Sequence, residues 1–367
     1  MMPESSKKYH YIKNWLFLAS IFLSLLGLYL LLVSGLSMQI KNFILRFFHN
    51  NFLVVGSYIL IINIGYAAID FPLALYEGFV LEHRFKLSNQ KFLAWFSDLL
   101  KKHLIEFAVF LPAAESLYIF LRRTQDSWWI YAALFWILLS IILAKITPGI
   151  IIPLFFKISP LKDEALREKV LSLVKNSGSA IKNIFVIDFS KKTKKSNALV
   201  CGLGKNRRIL LADNLINEFS PDEIAVVVAH ELGHEVHKDT LRLLLSGSIS
   251  SFLAFFFCNV FLKSGLEFFG FDNIHDIAAF PVLALSLFLI SLTLMPLQNA
   301  YTRKRERAAD LVALKLSQDK DSFISMMEKL GKKNLADLNP NKIIEFLLYD
   351  HPPISKRIAA ARKFYST

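Results

Sequence analysis

Ser220-Pro221-Asp222-Glu223-Ile224-Ala225-Val226-Val227-Val228-Ala229-His230-Glu231-Leu232-Gly233-His234 is followed, after eight intervening residues, by the uncharged run Leu243–Leu262. The first part reads as a helix: Ser220 can cap it, Pro221 suits its first turn and Glu223 completes a capping box. His230 and His234 stand four residues apart, so both imidazoles leave one face and can share a metal ion. Neutral imidazole suits zinc. Glu231 is angled toward a water beside the metal and can take its proton once the metal has acidified it. The second part is long enough to cross a bilayer. A charged metal helix therefore stands at the foot of a membrane span.

The whole chain has the same character. Its 367 residues are 54% hydrophobic, with 33 Phe and only 20% charged residues. Uncharged runs centred on Leu16–Leu36, Phe52–Phe71, Leu104–Leu121, Trp128–Ile146, Leu243–Leu262 and Ile277–Leu297 predict six spans. The first is too long, and too poor in small residues at a cleavage position, to read as a signal peptide. The net charge of +13 gathers in the N-terminal tail, in the loop with Arg84, Lys86, Lys91, Lys101 and Lys102, between Lys157 and Asp239, and in the C-terminal tail. Without a nucleic-acid-binding motif, that pattern indicates positive-inside topology and contact with anionic lipids. Both termini and the polar parts are expected on the cytosolic side of a bacterial inner membrane or an endoplasmic reticulum membrane. Cys201 and Cys258 lie in a polar stretch and an apolar run, which argues against a disulfide.

The fold expected is thus a polytopic α-helical membrane protein carrying a cytosolic α+β domain. Residues 1–156 hold spans one to four, 157–240 the first part of the polar domain, 241–298 spans five and six, and 299–367 the remainder. Within the polar domain Glu164–Asn176 reads as a helix, Lys191–Lys195 as a basic turn, and Ile184–Ile187, Asn197–Cys201 and Arg208–Ala212 as strands, the last two joined through Gly202–Asn206. Glu106 and Glu115 lie in the third span; Glu115 in particular indicates a water-filled chamber among the helices.

Two histidines leave zinc one protein ligand short. After the sixth span, Asn299, Arg303, Glu306 and Asp310 fall at i, i+4, i+7 and i+11, one helical face. Glu306 can supply the third ligand and Asp310 can orient a ligand histidine from behind, with Asn299 and Arg303 completing that outer layer. His237 reads as a surface or supporting histidine. One zinc per chain is expected.

In combination these motifs are similar to those of the type I CAAX prenyl endopeptidases, membrane zinc peptidases of the gluzincin kind. Tyr76-Glu77-Gly78-Phe79-Val80-Leu81-Glu82 resembles the family's Y-x-x-F-V-I-E block. Ser190 to Ala198 resembles its S-K-R-S-x-x-S-N-A segment, and His351-Pro352-Pro353-Ile354-Ser355-Lys356-Arg357 its H-P-P-x-x-x-R. The resemblance implies that Asn197 and Ala198 bind extended substrate by backbone pairing. It also implies that His351 and Arg357 stabilise the oxyanion and hold the substrate end. One departure concerns span number. Eukaryotic members resemble a seven-helix barrel, whereas Lys41–Asn51, with Arg46 and His49, is too short and polar to supply a seventh span.

The expected activity is zinc-dependent hydrolysis of peptide bonds in membrane-associated or lipidated peptides, or in misfolded membrane proteins. A lipid chain would rest in the chamber beside Glu115 while the peptide crosses the metal. The partners are peptide or protein substrates and membrane lipids, not nucleic acid. Two rivals are a site-2-type intramembrane protease and a zinc-binding quality-control or scaffold protein. The first needs its zinc motif inside an apolar span, but Asp222, Glu223, Lys238 and Asp239 surround this one. The second normally has four protein ligands.

Overall fold

A computed structural model describes residues 4–181, 183–202 and 207–365. Among them six helices are long and apolar enough to cross a membrane. The first four carry α1 (Glu4–Val33), α3 (Asn51–Leu75), α5 (Phe92–Arg123) and α6 (Trp128–Ile146). α3 passes through a π-turn, Tyr76–Leu81, into the short α4 (Glu82–Arg84). α6 passes through a second, Thr147–Ile151, into α7 (Ile152–Phe155). The first π-turn contains Gly78, where an added Cβ would lie 2.9 Å from the Trp95 indole nitrogen, so α5 packs there only because the side chain is missing.

The segment without a seventh span contains α2 (Leu36–Leu45), set off from α1 by Gly35 at φ 70°. It docks at the pole away from the metal motif: Ser37 Oγ donates to the Ala278 carbonyl (2.5 Å) and Lys41 pairs with Asp276 (2.7 Å).

The polar part combines a four-stranded sheet with helices. β1 (Ile158–Pro160), β2 (Asn183–Ile187), β3 (Ala198–Cys201) and β4 (Arg208–Ala212) lie in the order β1-β2-β4-β3. β2 and β4 are parallel, while β3 runs antiparallel to β4 at the sheet's edge. α8 (Glu164–Asn176), α9 (Asp213–Glu218) and α10 (Pro221–Val236) pack with it around Val170, Ile209, Val226, Val228 and Phe323, all fully buried. Each such side chain contributes on the order of 1.5–3 kcal/mol by leaving water. Of the expected link between β3 and β4, residues 203–206 lie outside the described residues.

α10 ends at His237, and Lys238 at φ 54° turns the chain into the fifth span, α11 (Asp239–Phe268). The sixth span does not stop before Glu306. α12 runs unbroken from Phe280 to Ser317, so the expected boundary at 298–299 falls inside one helix. α13 (Lys320–Lys333), α14 (Lys342–Leu348) and α15 (Ile354–Phe364) close over α10 and α12. Cys201 and Cys258 are both free thiols.

Candidate active site

The two helices carrying the motifs cross at Gly233. A Cβ there would lie 2.8 Å from Ala309 Cα and 2.9 Å from its carbonyl oxygen, so only glycine lets α10 and α12 approach this closely. The crossing places Glu306 between the histidines: its carboxylate oxygens lie 3.4 Å from His230 Nε2 and 3.3 Å from His234 Nε2. One donor atom from each of the three falls within 4.8 Å of the others, close enough to hold one metal ion. Glu306 Oε2 is buried and makes no hydrogen bond among the described residues. That orphaned acceptor, 3.4 Å from His230 Nε2 while its twin Oε1 faces His234 Nε2, fits a cation, and the donor set of two imidazoles and a carboxylate fits zinc.

The outer ring nitrogens are engaged from behind. His230 Nδ1 lies 2.9 Å from Asp310, and His234 Nδ1 lies 2.9 Å from Asp239, so each Nε2 is left facing Glu306. Burial alone would push the His230 ring down; the carboxylates of Asp310 and Glu306 outweigh it and carry the imidazole up to about 9. The site thus demands positive charge.

Asp310 is in turn gripped by Arg357, through Nε at 2.8 Å and Nη2 at 2.5 Å. Asp239 accepts from Arg305 Nε at 2.6 Å. Asp239 and Arg305 are not among the residues expected from the sequence. An acidic residue just past the metal helix, at the first turn of the next one, was the available sign for Asp239. It fills the supporting place that His237, at the end of α10, does not.

Asn299 and Arg303 share the face of Glu306 but do not reach the metal ligands. Asn299 Nδ2 donates to the Leu347 carbonyl at 2.7 Å. Arg303 Nη1 donates to the carbonyls of Glu345 (2.9 Å) and Tyr349. The end of α14 presents the carbonyls of its last turn, which attract the nearest donors, although that of Glu345 also accepts from the Tyr349 N–H (3.3 Å). Their role is to fix the segment leading to His351, a correction to the supporting role expected for them at the metal.

His351 Nε2 lies 3.4 Å from Glu306, and the hydrogen bond that its Nδ1 donates to Asp350 holds its ring above the ordinary histidine value against burial. Glu231 accepts from the Val200 backbone N–H at 3.1 Å. Val200 is on the outer edge of β3. The Asn197 carbonyl accepts from the Ala212 N–H (3.0 Å) across to β4, so alternation leaves the backbone groups of Ala198 and Val200 pointing outward. The Asn197 side chain folds back on the Ala198 N–H at 2.9 Å. The outward edge of β3 is thus formed by Ala198 and Val200, with the Asn197 side chain folded over the first of them.

Two cavities flank these groups. One, of about 320 Å³, has an apolar wall of Val227, Met326, Met327 and Leu330 and reaches His230, Glu231 and His351. The other, of about 580 Å³, runs from Val200, Glu231, His234 and Glu306 down between α6 and α11 past Ser140 and Gly247. A larger cavity of about 710 Å³ lies among α1, α3, α5 and α12 and touches none of these site residues. Glu115 lines none of the three. It is buried against Gly56 of α3, because the face of α5 that carries it turns into the helix bundle. The expected place for it beside a substrate chamber is corrected accordingly. Glu106 is exposed and lies near Lys102 and His103.

Comparison with known proteins places this geometry. A model of peptidase family M48 matches residues 160–364, and a model of the CAAX prenyl protease N-terminal region, described as five membrane helices, matches residues 3–157. A CAAX prenyl protease 1 homolog of Arabidopsis thaliana is 33% identical over 301 residues, 79% of this chain and 69% of that protein. CAAX prenyl protease 1 of Saccharomyces cerevisiae is 31% identical over 315 residues, 80% and 68%. An uncharacterized metalloprotease, YhfN, of Bacillus subtilis is 28% identical over 362 residues, 98% and 85%. The crystal structure of S. mikatae Ste24p superposes with a TM-score of 0.86 at 25% identity, covering 97% of this chain and 88% of that one.

Proposed function

The chain belongs to peptidase family M48, and from that premise we propose that it is a zinc endopeptidase that cleaves lipid-bearing peptides at the cytosolic face of its membrane. It is an integral membrane metalloendopeptidase. The observation that carries the finer reading is the convergence of His230, His234 and Glu306 donor atoms within 4.8 Å, with Glu231 alongside. These three residues would hold zinc, which supplies Lewis acidity to water and to the scissile carbonyl.

The remaining steps belong to the chain's own groups. Glu231, one residue from a ligand and steadied by the Val200 N–H, accepts the water's proton and passes it to the leaving amine. His351, held toward its protonated form by Asp350, donates to the oxyanion. Arg357 lines the same cavity while its grip on Asp310 fixes His230. The peptide lies extended along Ala198 and Val200 as an added strand, with an apolar residue in the pocket of Val227, Met326 and Met327.

The lipid is assigned to the cavity between α6 and α11, because that one opens both on the metal residues and on the membrane helices. The names of the relatives from Saccharomyces cerevisiae and Arabidopsis thaliana identify them as CAAX prenyl proteases, which favours a prenyl chain. Glu231→Gln tests the chemistry. The variant should keep its metal and lose roughly 10²–10⁴-fold in turnover of a prenylated peptide, the usual cost of removing a general base. Turnover near that of the parent protein would remove Glu231 from the reaction.

A further inference from the structure

Tyr76–Glu82 and Ser190–Ala198 are far apart in sequence, and Glu82 and Lys195 take no part in the chemistry above, yet the fold joins them. Glu82 Oε1 accepts from Tyr9 OH at 2.5 Å and from Lys195 Nζ at 2.9 Å, and its Oε2 lies 2.8 Å from the same ammonium. Lys195 Nζ also donates to Tyr9 OH at 3.0 Å. Tyr9, on the first span, is only 2% exposed and is sealed by Leu81, Leu87 and Phe85.

Around this knot the two chain segments run against each other. Ser88 bridges Thr193, Lys194 N–H donates to the Leu87 carbonyl at 2.8 Å, and Asn89 N–H donates to that of Lys192 at 3.0 Å. Lys195 stands three residues before Ala198, the first residue of the edge strand. The backbone between them is already held within the polar part: Asn214 donates to the Lys195 carbonyl at 2.5 Å, and the Ser196 N–H donates to Asn334 at 3.1 Å. The side chain of Lys195 adds a tie to two membrane-anchored helices.

A largely buried ion pair adds little net stability, because desolvation offsets its attraction; its best-attested use is to set register. We propose that Glu82, Lys195 and Tyr9 form a positioning device that sets the outer edge of β3 at a defined height above the bilayer. A substrate whose lipid is seated in the membrane then meets Ala198 and Val200 in register with the metal residues. The proposal rests on the reading of β3 as the peptide seat.

Steady-state kinetics on an S-prenylated cysteine peptide, with metal content measured in parallel, tests it. Lys195→Met and Glu82→Gln should each raise KM about tenfold, the factor equivalent to ~1.4 kcal/mol of binding. Their kcat should stay close to that of the parent and their metal content should be full. Lys195→Arg, which restores the charge, should recover most of the loss. An unaltered KM, or a fall in kcat alone, overturns the proposal. Should the charge variants not accumulate, Tyr9→Phe deletes one hydroxyl and is judged the same way: a raised KM supports the device and an unaltered one overturns it. Ala198→Pro removes an edge N–H that β4 does not use. If it leaves KM unaltered, the seat itself is wrong and the positioning role falls with it. If it raises KM while the other variants do not, only the positioning role falls.

Discussion

Gly233 decides more at the residue scale than its size suggests. The contact of 2.8 Å that a Cβ would make is with backbone, which cannot swing aside as a side chain would. Gly233→Ala should therefore push α10 off α12 and draw Glu306 away from the histidines, lowering metal affinity although no ligand has changed. Equilibrium metal titration reads this directly. Glu306→Ala should lose metal outright, whereas Asp310→Ala should weaken affinity less, by roughly 10–100-fold, as for groups that orient a ligand from behind; full metal occupancy in the Glu306 variant would mean that another residue is the third ligand. Protonation follows the same geometry. In metal-stripped protein His230 is raised to about 9, so it is charged at pH 7, and zinc takes only neutral imidazole. Metal uptake at pH 7 should release a proton from this ring, and that release should fade as pH rises through 9. Calorimetry in buffers of differing ionisation enthalpy measures the proton count.

Among the elements, α11 and α12 do two things each. α12 crosses the membrane and then carries Glu306 and Asp310 without a break, so the residue proposed as third ligand is fixed to the span itself. α11 begins with Asp239, which steadies His234, and then lines the cavity assigned to the lipid. Gly247 lies on that wall, and a Cβ there meets nothing within 4 Å, so a large side chain can enter the cavity without straining the helix. Gly247→Phe should lower the preference for a prenylated over an unmodified peptide by about tenfold or more, the scale on which a misplaced substrate loses rate. Gly65→Phe projects into the larger cavity and is equally free of neighbours, and it should leave the preference intact. The opposite pattern would move the lipid to the larger cavity.

For the molecule as a whole, the elements fall at two poles. The metal helices, the sheet and the Lys191–Lys195 turn lie at one end of the spans, while α2 and the Asp276 turn that it grips lie at the other. The basic residues concentrate at the first pole, which is expected on the cytosolic side. Single cysteines at Lys194 and at Asp272, in a background lacking Cys201 and Cys258, should behave oppositely toward an impermeant thiol reagent added outside intact cells. Asp272 should react and Lys194 should not; the reverse result would place the peptidase pole outside and change the pool of substrates it meets.

Much of this could be read from local pattern. Six apolar runs of bilayer length, the capping box before Val226 and Val227, the four-residue spacing of His230 and His234, and the seven-residue step from Asn299 to Glu306 each need only neighbours along the chain to have meaning. Helical period and hydrophobicity are properties of short segments, so spans and candidate ligands emerge from them. Other assignments depend on pairs distant in sequence. That Asn299 and Arg303 serve the end of α14, that Asp239 stands behind His234, and that Val200 is the outward-facing partner of Glu231 all follow from packing. So does the burial of Glu115 in the bundle, since the face that an isolated helix turns toward its neighbours is set by every other span. Sequence determined which residues could do the chemistry and that they stand beside membrane spans. Tertiary structure alone decided which of them meet, because the crossing at Gly233 joins His234 to Glu306, 72 positions apart, and the docking of Lys195 on Glu82 joins residues 113 positions apart.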